Sequence, residues 1–580
     1  MPRLFIIDHS LISPGGHHYE YDLHVAAAAA GAGWEPVLAT NRRFAPHGAS
    51  LAPWRVIAVF RNDTYNRFTV TSGATSLPQN PYRRGAWQRM PVGGRGPAAW
   101  WRRAALLLKQ RRRLGRFVRG CEALFAAVAV QPGDVVFVPT LSEFDLVAVL
   151  RFLAGRPPAA ACRWHLQFHL NYLDGAEPAQ DRQAERVAAM RAHFAALLAP
   201  AGQLRLAFHA TTAQVAAQYN RMGLAPFTVL DYPVSTAFRP LDRTAPSARL
   251  RMLSAGGARA EKGTSRLGEV LKEGWDEFFA SGRVELLVQV ERDAELPVLP
   301  GPAAPGIVSR LPFPLSAADY CAMIRAADIG LFLYDPARYQ GRASGVLIEM
   351  LCSGVPVIVP AGCWLADEIA EANFRHLDVL RARASPLGTA CAGDWQPLPP
   401  AADQSPPALG CDGAIPTGAR ELLLSLSLGS PAGSGHYFAL ACEQLDGQGQ
   451  VLARQLDVMA ARQGDKPLRL LVHIKAGARG LRLRLAHANE PLTVRIEASE
   501  LCFLDPGPQG LPLGAVGLAA AAVAEIPRLL RDLVARHEHY RAQARQFARA
   551  YGELHSPDTV VARLTTPLQP GVSAADAVAG

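Results

Sequence analysis

An α/β fold of two doubly wound parallel sheets, with an antiparallel β-sandwich set into the second, is predicted for this 580-residue chain by three observations. Short apolar runs of the kind that parallel sheets bury on both faces alternate with helix-length segments in both halves. Glycine-bearing turns follow the apolar runs RLFIIDHS and RMLSAGG, where a strand hands over to a helix. After Arg381 the composition shifts to Pro, Gly and Ala, and six period-2 segments then follow one another at about ten-residue spacing.

The first half opens with the strand RLFIIDHS. SPGGHHYEYDLHVAAAAAGAGWEPVLAT then reads as a glycine loop, an Ala-rich helix, a Gly stop and a second strand. The Gly15-Gly16 turn lets the main chain approach a ligand closely, although a strand-Gly-helix turn is frequent in α/β proteins and this one is not G-x-G-x-x-G. GDVVFVPTL, AACRWHLQFHL, QLRLAFHATT and FTVLDYPV supply four more strands separated by helical stretches, so residues 1–240 form one doubly wound domain.

The second domain takes residues 241–385 and 510–570. RMLSAGGARAEKGTSRLGEVL reads as strand, Gly-rich loop and helix, and its loop carries Arg259 and Lys262. AADYCAMIRAADIGLFLYDP adds a helix and the strand Asp328 to Leu333. Then comes YQGRASGVLIEMLCSGVPVIVP, a loop, a short helix and a buried strand. Ser344 is placed to cap that helix, Gly345 admits backbone close to a ligand, and the free amides there, with the positive dipole end, suit a phosphate. Glu349 lies four residues after Gly345, hence on the same face about one turn, roughly 5 Å, further down. The same residues also fit a Ser-capped core helix with a solvated Glu; the flanking segments favour the anion site. Arg259 and Lys262 facing the helix end would neutralise a leaving diphosphate, with a ribose diol one turn below on Glu349.

The order ARAEKG, AADIGLFLY, SGVLIEMLCSGVPVIVP, together with the glycine turn near the start, resembles the retaining nucleotide-sugar glycosyltransferases of the GT-B fold, especially the large family 4 of bacterial polysaccharide assembly. The resemblance implies two Rossmann-like domains, a nucleotide-sugar donor, and transfer of a glycosyl group with retention to a glycan or lipid-linked glycan. It assigns the donor diphosphate to Arg259 and Lys262, the ribose to Glu349, and contacts to sugar and phosphate to the backbone of Gly15, Gly16, Ser344, Gly345 and Val346. The family often has a second Glu eight residues before the first; here that position is Gly341. Arg342 either substitutes for it electrostatically or decorates the surface. TVLDYPVSTAFRP resembles the family's hinge, about which lobe closure would exclude water.

Histidines are the candidates on the acceptor side. His165 and His169 share strand parity, and the resemblance places a His near the reacting sugar; each also suits a structural role satisfied by backbone carbonyls. With His17 and His18 after the glycine loop and His209 ending a later strand, imidazoles are expected to converge on one cleft. Their spacings match no zinc motif, and neither metal nor other cofactor is expected.

The module at 386–509 is expected to be a jelly-roll-like sandwich. LRLRLAHANEPLTVRIEASELCFL is similar to the last strands of carbohydrate-binding modules, while Trp395, Tyr437, Phe438 and Phe503 are its few aromatics. Glycan binding, packing and oligomer contact are all open to such a sandwich.

Composition bounds the rest. The chain is 49% apolar and 19% charged, its nine cysteines lack C-x-x-C, and no secretory leader or membrane-length apolar run is visible, which points to the cytoplasm. The net charge of +10 is local: Thr64 to Cys121 holds thirteen Lys and Arg with no Asp or Glu, and the remainder is slightly acidic. Trp100 to Gly120 reads either as an amphipathic helix on the anionic inner face of a membrane or as a domain helix whose arginines are solvated. No nucleic-acid module accompanies it. A non-catalytic sugar or nucleotide-sugar binder on a degenerate GT-B scaffold is the alternative to a transferase.

Overall fold

The computed structural model describes residues 1–580 except 14–15, 45–53, 64–96, 170–187, 189–190, 193–194, 196–203, 221–222, 224, 242–248, 258, 303–304, 314, 385, 391–394, 399–406, 430–436, 461–466, 489–493 and 567–580. The chain divides into two compact units, one formed by Met1–Asp174, Gln180–Ser235 and Glu553–Gly580, the other mainly by Thr236–Gly552.

The first unit carries seven strands: β1 (Arg3–Asp8), β2 (Glu35–Asn41), β3 (Arg55–Phe60), β4 (Val135–Val138), β5 (Arg163–Phe168), β6 (Arg205–Ala210) and β7 (Phe227–Val229). They pair in the order β3-β2-β1-β4-β5-β6-β7, and every pairing is parallel. The order reverses direction between β1 and β4, which is where such a sheet opens a crevice at its carboxyl edge.

Strand parity sends Phe5, Ile7, Val136 and Val138 to one face, where they pack with Leu114, Phe117, Cys121 and Leu124 of the helix Pro97–Ala127. Leu4, Ile6, Val135 and Phe137 go to the other face, against Val25, Ala26 and Ala29 of the helix His17–Gly31. The same face buries Val560, Val561 and Leu564 of the helix Pro557–Thr565. That helix, grouped by sequence with the second domain, therefore belongs to the first unit. Three buried aliphatic side chains, at about 1.5–3 kcal/mol each, are enough to hold it there.

The basic segment falls partly in the helix Pro97–Ala127; its residues 64–96 and the side chain of Trp100 lie outside the described residues. From Leu114 onward the helix is a domain helix packed on the sheet, as one of the two sequence readings has it. Its first half differs, with Trp101 at 66% and Leu108 at 49% exposure. Arg113 is buried and reaches Asp145 at 3.6 Å.

In the second unit the strands are β8 (Leu250–Ser254), β9 (Val284–Gln289), β10 (Val308–Leu311), β11 (Ile329–Leu331) and β12 (Val357–Pro360). An antiparallel region follows: β13 (Gly388–Ala390), β14 (Gln396–Pro397), β15 (Ala408–Ala414), β16 (Glu421–Gly429), β17 (Tyr437–Leu445), β18 (Val451–Ala460), β19 (Leu468–His473), β20 (Gly480–His487) and β21 (Arg495–Leu504). The chain then returns to the parallel sheet as β22 (Gly517–Ala520). The parallel order is β10-β9-β8-β11-β12-β22, so direction again reverses, between β8 and β11.

The six period-2 segments are β16 to β21. With β13, β14 and β15 they form two antiparallel sheets, β13-β21-β16-β19 and β14-β15-β20-β17-β18. Leu422, Leu424, Leu501 and Phe503 of the first share one core with Phe438, Leu440, Leu483 and Leu485 of the second. Asn373, on the helix Trp364–Arg383, ties that helix to β22: its side-chain amide donates to the Gly517 carbonyl at 2.9 Å, and its oxygen accepts from the Ala515 and Val516 amides.

Candidate functional site

The richest convergence of candidate residues lies at the carboxyl ends of β8, β11 and β12. After β8 the chain turns through Gly256, whose φ is +82° and whose amide donates to Gln289 Oε1 at 2.7 Å. A Cβ on Gly256 would stand 2.4 Å from Lys262 Nζ and 3.3 Å from Val346 Cγ2, so the ammonium and the first turn of the helix Gly345–Cys352 crowd the same small space. Gly263 closes the loop at φ +70°, where a Cβ would collide with the Leu333 carbonyl oxygen at 2.0 Å. The Glu261 carbonyl accepts from the Asp335 amide at 2.9 Å and pins this loop to the segment after β11.

Ser344 caps the helix: its hydroxyl accepts from the Leu347 amide at 3.4 Å, as its position in SGVLIE predicts. Gly345 and Val346 form the first turn, half-buried, with their amides in the set that a helix leaves without intrahelical partners. One turn down, Glu349 Oε2 accepts from the Tyr320 hydroxyl at 2.7 Å, which fixes the carboxylate.

Two tyrosines hold the cations. Lys262 Nζ sits 5.5 Å from the centroid of Tyr334, and the Arg342 guanidinium 5.3 Å from that of Tyr339. The two rings are themselves 4.5 Å apart. Among the described residues neither Lys262, Arg342 nor the exposed Arg259 forms an ion pair, and the first two rest on ring faces without a carboxylate salt bridge. Burial pushes the Lys262 ammonium below its usual range, and the charges of Arg259 and Arg342 add to this against the opposing pull of Tyr339 and Glu349. Burial likewise raises the Tyr334 hydroxyl to about 12, keeping it neutral beside Ser344. A buried, cationic, water-poor corner at a helix N-terminus is one that an anion relieves electrostatically. Gly341 is buried in the loop just before, where a carboxylate is absent.

The first unit disposes its candidates differently. Gly15 and the side chain of His17 lie outside the described residues. Gly16 is the N-terminal cap of the helix His17–Gly31, with φ 80°. His18 Nδ1 lies 2.7 Å from Asp8 Oδ2. Burial alone would raise Asp8, yet His18 and His9 outweigh it and hold that carboxyl at about 2; burial and the Asp8 charge push the neighbouring Asp22 well above the carboxylate range, so one acid is ionised and the other neutral.

Among the described residues the expected convergence of imidazoles on one cleft is not formed. His165 is fully buried within β5 and its Nδ1 meets Nε2 of His209, on the adjacent β6, at 2.9 Å, the rings stacked at 3°. Burial, with the neighbouring imidazole, lowers His165 to about 3. Shared parity predicted a common face for His165 and His169 but not depth in the sheet. His169, just past β5, has Nε2 2.6 Å from the Pro139 carbonyl oxygen, to which it donates, and Nδ1 2.9 Å from the Thr211 hydroxyl. Its ring stands 6.1 Å from that of Tyr21.

Sequence reasoning passed over Tyr320, Tyr334 and Tyr339. The run YDPARY directly after a parallel strand was the available signal, since a strand's carboxyl end is where ligands lie. Of the few aromatics of the antiparallel region, Tyr437, Phe438 and Phe503 are buried, and Trp395 donates to the Ser499 hydroxyl at 3.2 Å. Among the described residues no three His, Cys, Asp or Glu side chains gather as a metal site, and no helix is long and apolar enough to cross a membrane.

No protein-family model matches the chain, and no curated protein matches it. Among solved structures it is similar to a sucrose-phosphate synthase from Thermosynechococcus elongatus, at 15% identity over 64% of this chain and 85% of that one, with a TM-score of 0.38. It is also similar to the trehalose-6-phosphate synthase OtsA, at 10% identity over 63% and 86% with a TM-score of 0.38. A glycosyltransferase from Rickettsia africae follows at 11% identity over 62% and 79%, with a TM-score of 0.34.

Proposed function

We propose that the chain is a nucleotide-sugar glycosyltransferase of the GT-B type that moves a sugar, with retention, to a glycan or lipid-linked glycan in bacterial polysaccharide biosynthesis. The observation that carries this reading is that Lys262, over the Tyr334 ring, and Val346, in the first turn of a helix whose Glu349 is held one turn away, both border the space beside Gly256. The diphosphate takes the Lys262 ammonium, Arg259 and the free amides of Ser344, Gly345 and Val346, while Glu349 accepts from the ribose hydroxyls. In the transfer, the bond between the sugar's anomeric carbon and the diphosphate oxygen breaks as the acceptor hydroxyl oxygen bonds that carbon. The hydroxyl proton passes to the departing phosphate, whose charge the cations stabilise. The protein's own cations then carry the diphosphate charge that a metal carries elsewhere.

Arg342, stacked on Tyr339 beside Gly341, supplies charge where the family resemblance expects a carboxylate. On the acceptor side His169, with both ring nitrogens engaged, shapes the crevice and is not a base. Gly341 also supports the second reading, a non-catalytic nucleotide-sugar binder. Assays of transfer and donor hydrolysis over a panel of nucleotide-sugars separate the two. A transferase shows turnover that Lys262→Ala lowers by about 10²–10³-fold with its thermal midpoint preserved. Donor binding without turnover favours the binder, and turnover untouched by Lys262→Ala removes the role given to that residue.

A further inference from the structure

The antiparallel region does not close completely onto the parallel sheet of its own unit. A cavity of about 100 Å³ remains between the helix Trp364–Arg383, strands β18 and β19, the edge strand β22 and the helix Ile526–Ala535. Packed elements ordinarily leave no void beyond the size of a water, and one water needs only about 10–15 Å³ on this measure. The space is therefore on the scale of a sugar ring.

Its walls are mostly apolar, Phe374, Met459 and Leu518 among them, with polar groups at Asp367, Asn373, Gln455, Asp457, Arg469 and Arg528. Mainly apolar walls with a few fixed polar groups are the composition of small-molecule sites. Here the polar groups are fixed by the chain itself. Asp457 accepts from the Gln455 amide at 2.7 Å and lies 3.9 Å from Arg528, which also meets Glu525 at 3.0 Å. Arg469 pairs with Asp378 at 2.7 Å, and Asp367 accepts from the Tyr437 hydroxyl at 2.7 Å. Two carboxylates balance two guanidiniums in the lining, and Asp378 and Glu525 stand behind them. A phosphorylated or nucleotide ligand finds no surplus positive charge here, in contrast with the Lys262 corner. A neutral ligand that offers both donors and acceptors around an apolar ring face matches the site on each count.

We propose that this cavity binds a neutral saccharide, at a site separate from the candidate donor site and independent of the function proposed for it. The test titrates D-glucose, D-mannose and N-acetylglucosamine, with glucose 6-phosphate as the charged control, into full-length protein carrying ¹³C-methyl methionine. Met459 lines the cavity, so its methyl resonance, assigned with Met459→Leu, reports occupancy. The expected result is a saturable shift of that resonance with at least one neutral sugar, none with the phosphate ester, and affinity about tenfold or more weaker in Asp457→Ala. Lys262→Ala leaves the titration unchanged. Should Asp457→Ala fail to fold, Gln455→Leu takes its place with the same expectation. No Met459 shift with any neutral sugar up to solubility, an affinity indifferent to these substitutions, or loss of the response in Lys262→Ala overturns the proposal.

Discussion

Lys262 stands where a charged side chain is least comfortable, buried and near two guanidiniums, and that discomfort is what makes it responsive to an anion. Because its pKa lies below the usual value of about 10.4, the free protein begins to lose this charge at a pH where an ordinary lysine keeps it. A bound diphosphate favours the charged form. Affinity for a nucleoside diphosphate is therefore expected to fall as pH rises toward 10, and calorimetric titrations at successive pH values check this; a profile that stays flat in wild type speaks against Lys262 as the diphosphate contact. Glu349 is held in part by Tyr320. Tyr320→Phe removes its 2.7 Å hydrogen bond, of the charged kind usually worth about 1.5–3 kcal/mol, and should weaken donor binding about tenfold through a carboxylate that is no longer held in place. Equal donor affinity in Tyr320→Phe and wild type would show that Glu349 needs no such support.

At the scale of elements, the loop after β8 rests on two glycines. Gly263→Ala places a Cβ 2.0 Å from the Leu333 carbonyl at positive φ and should cost at least about 2 kcal/mol, whereas Gly268→Ala, in a helix with nothing within 4 Å, should be neutral or stabilising by up to about 1 kcal/mol. Thermal denaturation of the two variants side by side tests the contrast. His473 on β19 joins the antiparallel region to the helix Ile526–Ala535. Burial lowers its pKa, but hydrogen bonds to Asp532 and Glu421 win and raise it to about 9. Since the folded value exceeds the unfolded one of about 6.5, the stabilisation is complete below pH 6.5 and is lost as pH climbs through 9. Stability should decline across that window in wild type and not in His473→Gln; parallel curves would exclude the imidazolium as the link.

What the sequence disclosed about these elements was local. Ser344 ahead of Gly345, the apolar run VPVIV and the period-2 segments of β16 to β21 each act through neighbours a few residues away, so their readings transfer directly to the structure. Tertiary placements were not disclosed. Nothing in the spacing of Tyr320, Tyr334 and Tyr339 tells that one anchors Glu349 while the others support two cations. His165 and His209 read as cleft residues by position, yet lateral pairing inside the sheet absorbs them. The amphipathic helix Pro557–Thr565 offered an apolar face but not which sheet it covers.

At the scale of the whole molecule, the same strand order, three strands running back and the rest forward, occurs in both parallel sheets, and each opens its crevice where the order reverses. The second sheet places Lys262, Arg342 and a Ser344-capped helix at that point; the first places the Asp8–His18 pair, a neutral Asp22 and a helix capped by Ser142 there. The boundary between units falls at Ser235 and Thr236, within the segment whose sequence resembles a hinge. All the residues of the proposed donor site fall within the second unit.

Calorimetry with UDP, GDP, ADP and TDP, titrated into wild type and Lys262→Ala near pH 7, addresses that site most directly. The account predicts saturable binding of at least one diphosphate, weakened tenfold or more by the substitution while the folded state is retained. Absence of binding by all four, or binding of equal strength in both proteins, contradicts it.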